Sequence, residues 1–145
     1  MMNIYFCGSI RGGRELALTY GYIIGILQEF GHVLTEHVGS DEVIREEDGS
    51  LTDREIHDRD LGWITESDLL VAEVTQPSLG VGYEIGRAIE MGKPVLCLYD
   101  AGSDRALSAM IAGSNSVTLK RYRQREELPG ILKGFFREHA PRHTS

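Results

Sequence analysis

Short, nearly continuous apolar runs at residues 4–7, 33–35, 69–74, 95–99 and 117–119 alternate along the chain with stretches whose apolar residues recur every three or four positions. The first kind, bounded by polar or glycine-containing turns, predicts buried strands. The second, at 14–30, 52–66, 80–91, 105–112 and 126–139, predicts helices that bury one stripe. Strand and helix in alternation predict one α/β domain over residues 1–145. Its economical form is a doubly wound, mainly parallel five-stranded sheet with helices on both faces, flavodoxin-like or Rossmann-like.

Sheets of this kind bind ligands beyond the carboxyl ends of their strands. That rule selects residues 8–14 after the first strand, 35–40 after the second, 75–84 after the third and 100–108 after the fourth. Thr52 and Glu55 have the spacing of a capping box at the start of the second helix, and Gly92-Lys93-Pro94 stops the third. The segment from Gly39 to Leu51 is long, acidic and glycine-containing, and it reads as a mobile lid.

Composition narrows the setting. At 145 residues and 41% hydrophobic, the chain can bury a core without disulfide or metal staples. Cys7 and Cys97 lie in separate predicted strands outside any C-x-x-C pair, so a reducing, cytoplasmic location is expected rather than a disulfide or zinc framework. The first residues lack the basic flank and longer apolar stretch of a signal peptide, and no later segment is apolar for long enough to span a bilayer. A net charge of −7 and a pI near 5.2 argue against nucleic-acid polymers and anionic membranes as partners. The basic run from Lys120 to Arg125 reads as a solvated connection.

Two carboxylates fall where helical periodicity calls for apolar side chains. Glu84 lies among Val81, Tyr83, Ile85 and Ile89, and Asp60 shares a helix face with Ile56, Trp63 and Ile64. An ionised group on an apolar stripe costs free energy unless partnered, so it is either ion-paired, as Asp60 could be with Arg59, or retained for chemistry. Both helices meet the carboxyl edge of the central strands, which brings the two to one cleft. Paired carboxylates flanking a sugar suit glycosidic cleavage: one attacks or stabilises the anomeric carbon, and the other handles the leaving-group proton.

Around them lie two glycine-containing loops. Gln76-Pro77-Ser78-Leu79-Gly80-Val81-Gly82-Tyr83-Glu84 passes from a strand into a helix, and its amides, helix dipole and Ser78 hydroxyl make an anion site suited to phosphate. A plain turn with a serine cap is the competing reading. Gly8-Ser9-Ile10-Arg11-Gly12-Gly13-Arg14 combines glycine freedom, a hydroxyl and two guanidinium groups, and reads as a phosphate or sugar clamp or else as a turn with surface arginines. His37 either lines the cleft or is an ordinary loop histidine. The five histidines show no metal-ligand spacing, so no metal and no cofactor are expected. Neither a G-x-S-x-G elbow nor a G-x-x-x-x-G-K-[ST] loop is present, which disfavours serine-hydrolase and P-loop chemistry.

The segments Tyr5-Phe6-Cys7-Gly8-Ser9-Ile10-Arg11-Gly12-Gly13-Arg14-Glu15, Leu34-Thr35-Glu36-His37, Asp60-Leu61-x-Trp63 and Ala72-Glu73-Val74-Thr75-Gln76-Pro77-Ser78-Leu79-Gly80-Val81-Gly82-Tyr83-Glu84 closely resemble the 2'-deoxynucleoside 5'-phosphate N-hydrolase family, within the nucleoside deoxyribosyltransferase superfamily. Leu107-Ser108-Ala109-Met110-Ile111 fits the same pattern, and the similarity covers nearly the whole chain. The resemblance implies a homodimer that hydrolyses a deoxynucleoside 5'-monophosphate to free base and 2-deoxyribose 5-phosphate. It makes Glu84 the nucleophile at C1', Asp60 the group that assists base departure and then activates water, and Tyr5 the residue that orients the carboxylates. It makes Gly8, Ser9, Ile10, Arg11, His37, Ser78, Gly80, Gly82 and Met110 substrate contacts, with Arg11, Ser78, Gly80 and Gly82 on the 5'-phosphate. Ser108 would reach that phosphate from the partner subunit. The segment from Gly39 to Leu51 has its own sequence, which leaves the preferred base open.

Other activities share parts of this pattern. A deoxyribosyltransferase would use the same nucleophile and pass the sugar to another base. A ribonucleotide N-glycosidase would differ in tolerating a 2'-hydroxyl near Tyr5. A nucleotide-binding module without turnover would keep the glycine loops but has no use for two costly carboxylates. Cytokinin-type phosphoribohydrolases carry a G-G-x-G-T-x-x-E pattern that this chain lacks.

Overall fold

Successive side chains of a strand point to opposite faces of its sheet, and here both faces are covered. Ile4, Phe6, Leu69, Val71, Leu96 and Leu98 pack on one side against Leu16, Tyr20, Ile23, Leu27, Leu128, Leu132, Phe135 and Phe136. Tyr5, Cys7, Leu70, Ala72, Val95 and Cys97 pack on the other against Ile64, Val81, Ile85 and Ala88. Burial on both sides is why these strands read as continuous apolar runs rather than as alternating ones.

The computed structural model describes residues 1–35 and 50–139. Its elements are β1 (Met2–Gly8), α1 (Arg14–Leu27), β2 (Gly31–Val33), α2 (Asp53–Glu66), β3 (Leu69–Glu73), α3 (Leu79–Glu90), β4 (Val95–Asp100), α4 (Ala109–Ala112), β5 (Thr118–Tyr122) and α5 (Leu128–His139). A 3-10 turn at Arg125–Glu127 leads into α5. The strands run parallel in the order β2-β1-β3-β4-β5, which is the flavodoxin-like order and agrees with the predicted α/β sheet. Helices α1 and α5 cover one face, and α2 and α3 the other. His37 and residues 39–49 of the predicted lid lie outside the described residues.

The capping box is formed as predicted: Thr52 Oγ1 accepts from the Glu55 N–H at 3.1 Å, and Glu55 accepts from the Thr52 N–H at 3.1 Å. Thr35, just past β2, ties that edge strand to its neighbour. Its hydroxyl donates to the Phe6 carbonyl at 2.6 Å and accepts from the Phe6 N–H at 2.9 Å. Gly92 adopts φ +75 beyond α3, the left-handed conformation that suits a glycine after a helix.

Three predictions need correction. The helix predicted at 105–112 is only Ala109–Ala112. The Arg105 N–H is taken by Ser103 Oγ at 3.0 Å and the Arg105 carbonyl by the Tyr99 hydroxyl, so the first turn is drawn into the preceding loop. The predicted first helix stops at Leu27 rather than Phe30, where the Phe30 N–H turns back to the Leu27 carbonyl at 2.9 Å. The basic run is partly strand: Lys120 and Arg121 are exposed residues of the edge strand β5, which continues to the buried Tyr122. No helix among the described residues is long and apolar enough to cross a membrane.

Leu98 on β4 is fully buried, whereas Leu18 on α1 is 58% exposed. Leu98→Ala is expected to lower the unfolding free energy by about 2–5 kcal/mol, from lost burial plus the cavity left behind. Leu18→Ala should stay within about 0.5 kcal/mol of the parent. Urea unfolding measures both, and equal effects would contradict the core assigned to this face.

Candidate active site

Strand order reverses between β1 and β3, and the residues that combine a carboxylate with a buried donor collect at that switch point. Tyr5 on β1 is 1% exposed and faces α2 and α3. Its hydroxyl donates to Glu84 Oε2 across 79 positions of sequence. Glu84 is half-buried on α3, and loss of water around the carboxyl pushes its pKa up to about 7. The Tyr5 hydrogen bond opposes that rise, nearby Asp60 adds to it, and Arg59 opposes it. Burial drives the Tyr5 phenol far above its ordinary range, with Glu84 and then lesser neighbours including Asp60 adding to the effect. Tyr5 therefore stays protonated and remains a donor. Cys7, the next inward-facing residue of β1 on this side, feels the same two carboxylates, which adds to burial in raising its thiol.

Asp60 is held by its neighbour. Arg59 Nε donates to Asp60 Oδ1 at 3.1 Å, both side chains are 24% exposed, and the guanidinium lies over the Trp63 ring at 4.7 Å. The local ion pair foreseen as the alternative to a functional Asp60 is present. It does not remove Asp60 from the site, because Arg59 also favours the ionised form of Glu84 and so bears on both carboxylates. The Arg59-to-Trp63 spacing of one helical turn is the sequence signal for that placement.

A strap between α2 and α3 was not evident in the sequence. His57 Nε2 lies 2.9 Å from the Tyr83 hydroxyl, Arg87 Nη1 donates to the same hydroxyl at 2.7 Å, and His57 Nδ1 lies 2.9 Å from Asp58 Oδ1. It joins the two helices one residue from Glu84 and three from Asp60. Nothing in the periodicity marks it, since all its members are polar or amphipathic groups on exposed faces.

The loop after β1 makes a tight turn, with the Gly12 N–H donating to the Ser9 carbonyl at 3.3 Å and the Arg11 N–H to Ser9 Oγ at 3.2 Å. Ser9 is buried, while Ile10 and Arg11 expose their side chains. Gly8 has to be glycine: a Cβ there would come within 2.7 Å of the Tyr20 ring. After β3, Ser78 is the N-cap of α3 and accepts from the Val81 N–H at 3.2 Å, so the serine-cap reading holds for its hydroxyl. The phosphate reading keeps its geometry as well, because that cap opens a 12-residue helix beside the carboxylate. A Cβ on Gly80 would have Ser78 Oγ at 3.8 Å and Glu84 Oε1 at 4.0 Å as its nearest neighbours, whereas Gly82 borders open space.

Tyr5, Glu84 and Asp60 are thus brought together, with Gly80 and Ser78 alongside. Ser108 and Met110 line, with Ser78 and Gly82, a groove of about 720 Å³ between α3 and α4. Leu79 and Met110, on its walls, are 96% and 83% exposed.

Sheet order and crossover helices define a flavodoxin-like α/β protein, with a carboxylate pair at the switch point where sheets of this kind bind ligands. The chain belongs to the nucleoside 2-deoxyribosyltransferase family, whose profile matches residues 4–120. It is 50% identical over 137 residues to the 5-hydroxymethyl-dUMP N-hydrolase of Danio rerio, covering 93% of this chain and 96% of that protein. The Mus musculus 5-hydroxymethyl-dUMP N-hydrolase is 48% identical over 147 residues, 99% of this chain and 84% of the relative. Among solved structures, a CMP N-glycosidase of Clostridium botulinum shares the fold with a TM-score of 0.65 at 19% identity, covering 92% of this chain and 98% of that one. A 2-deoxyribosyltransferase of Bacillus psychrosaccharolyticus does so with a TM-score of 0.63 at 15% identity, covering 88% and 90%.

The carboxyl carbon of Glu84, followed by NMR, should titrate near pH 7 rather than near the ordinary 4.5. Tyr5→Phe removes the hydrogen bond that favours the ionised form, so the midpoint should move higher still. A midpoint that fell in that variant would show that the phenol does not stabilise the carboxylate.

Proposed function

We propose that this protein hydrolyses the N-glycosidic bond of 2'-deoxynucleoside 5'-monophosphates, releasing free base and 2-deoxyribose 5-phosphate. The observation that carries the reading is the Tyr5–Glu84 pair beside Asp60, with the Gly80 backbone next to the same carboxylate. The relatives at about half identity, each named an N-hydrolase of a deoxynucleotide, point to the same reaction.

In this mechanism an ionised Glu84 oxygen forms a bond to C1' as the C1'–N bond breaks, and the bonding pair leaves with the base. Asp60, ionised in its pair with Arg59 at rest, relays a proton from solvent to the departing base. The resulting Asp60 carboxylate takes a proton from water as that water attacks C1', and the ester bond to Glu84 breaks to restore its carboxylate. Tyr5 keeps Glu84 oriented and partly ionised near neutrality. Because a protonated Glu84 cannot attack, kcat/KM rises as pH climbs through about 7. Arg11, Ser78, Gly80 and Gly82 hold the 5'-phosphate, with Gly8, Ser9, Ile10, His37 and Met110 as further substrate contacts.

The reading includes a homodimer. Leu79 and Met110 expose apolar surface along the groove that Ser108 also lines, and a second copy seated there would cover it. Ser108 would then reach the phosphate of the partner subunit. Transfer of the deoxyribosyl group to a second base is the alternative outcome suggested by the family's name, and it would be seen as a new nucleoside when free base is added.

Chromatography of base released from 5-hydroxymethyl-dUMP, dGMP, dCMP, GMP and deoxyguanosine tests the reaction and its requirements together. Release from the deoxynucleotides alone is expected. Glu84→Gln should lose about three orders of magnitude or more in kcat with its fold intact. Near-normal turnover by that variant would end the nucleophile assignment, and release from GMP or deoxyguanosine would redirect the substrate class. Ser108→Ala should chiefly raise KM; a fall in kcat at unchanged KM would remove Ser108 from the phosphate site.

A further inference from the structure

The face of the sheet turned away from Tyr5 and Glu84 holds a second buried carboxylate. Glu73, the last residue of β3, is 0% exposed and shares its face with Leu69 and Val71. It accepts from the Thr75 N–H at 2.7 Å, from the Thr75 hydroxyl at 2.9 Å and from the Tyr122 hydroxyl at the end of β5. Thr75 Oγ1 in turn accepts from the Asp100 N–H at 2.9 Å, at the end of β4. One carboxylate therefore ties together the carboxyl ends of three strands.

The same group reaches toward the other substrate loop. Gly8 stands opposite Glu73 in the register between β1 and β3, and the Tyr20 ring fills the space beside it. The Tyr20 hydroxyl lies 3.2 Å from where a Cβ on Gly12 would stand, and Glu73 is among the groups that raise the Tyr20 phenol. Burial raises Glu73 itself, while the hydrogen bonds from Tyr122 and Thr75 counter the rise.

An apolar residue would end β3 without the cost of a buried ionisable group. The donors show what the carboxylate provides instead. Two of the three belong to Thr75, the residue at which the chain turns out of the sheet toward Ser78. A fully satisfied buried network holds its members to one geometry.

We propose that Glu73, with Tyr122 as its outer partner, is a positioning residue for the phosphate cradle: it fixes the direction in which the chain leaves β3 and so sets Ser78 and the amino end of α3. This inference rests on the reading of that loop as a 5'-phosphate site. Glu73 and Tyr122 touch no reacting atom, and they act from the face opposite the two carboxylates.

The test uses Tyr122→Phe, which deletes one donor and keeps the ring, and Thr75→Val, which deletes the hydroxyl and keeps the shape. Calorimetric titration with 2-deoxyribose 5-phosphate should show binding weakened about tenfold in each variant. KM for dGMP and 5-hydroxymethyl-dUMP should rise by the same factor with kcat within about twofold, and Thr75→Ser should recover both. A purely structural role would instead lower thermal stability and leave affinity and KM alone, and that result overturns the proposal, as does a loss confined to kcat. If Thr75→Val does not fold, Tyr122→Phe decides alone. If the parent protein releases no base, the proposed reaction fails while titration still decides this inference: weaker binding in the variants upholds it, and equal binding, or none by the parent, ends it.

Discussion

The hydrogen bond from Tyr5 to Glu84 joins the first strand to the third helix at a point where both are surrounded by apolar side chains. A carboxyl there would be driven toward its neutral form by loss of water, and one phenolic donor returns enough stabilisation to leave it poised near neutrality. The rest of the site follows from accommodating that pair. Small side chains line up beneath it, since Cys7, Ala72 and Cys97 are neighbours across β1, β3 and β4. The first turn of α3 passes close to the carboxylate at Gly80. Arg59 supplies the nearby positive charge and is itself steadied by Trp63.

The sheet separates two kinds of work. The α2 and α3 side carries the groups assigned to bond making and breaking, and the α1 and α5 side carries the buried oxygen cluster of Glu73, Thr75 and Tyr122. Both depend on the parallel arrangement, which gathers Gly8, Glu73, Asp100 and Tyr122, the last residues of four strands, at one edge. Polar groups at strand ends are thereby concentrated at the edge where sheets of this kind bind ligands, and the strand interiors stay apolar.

Legibility in the sequence followed how local each signal was. The five strands were visible because parallel strands buried on both sides are continuous apolar runs, and α2 was bounded by Thr52 and Glu55. The stretch 105–112 misled because Ser103 and Tyr99, outside the apparent helix, capture the backbone of Arg105. Glu84 and Asp60 were recognisable as polar misfits on apolar stripes, whereas Tyr5 looks like ordinary strand core and gained its role from family resemblance. Glu73 was part of a quoted motif without a role of its own. Its partner Tyr122 lies 49 residues away, beyond any local pattern. The His57–Tyr83 strap is likewise a product of helix packing rather than of spacing.

The exposed Lys120 and Arg121 make β5 more than a last strand. An edge strand offers unpaired amides and carbonyls to any extended chain that approaches, and β5 lies at one end of the strand order. Two adjacent cations point to opposite sides of this border, so an incoming strand would have to desolvate one charge on each of its faces. The two charges thus disfavour sheet growth past β5. Ribbon-like extension is thereby least favourable along this border, and the carboxyl ends of the strands stay out of such a seam.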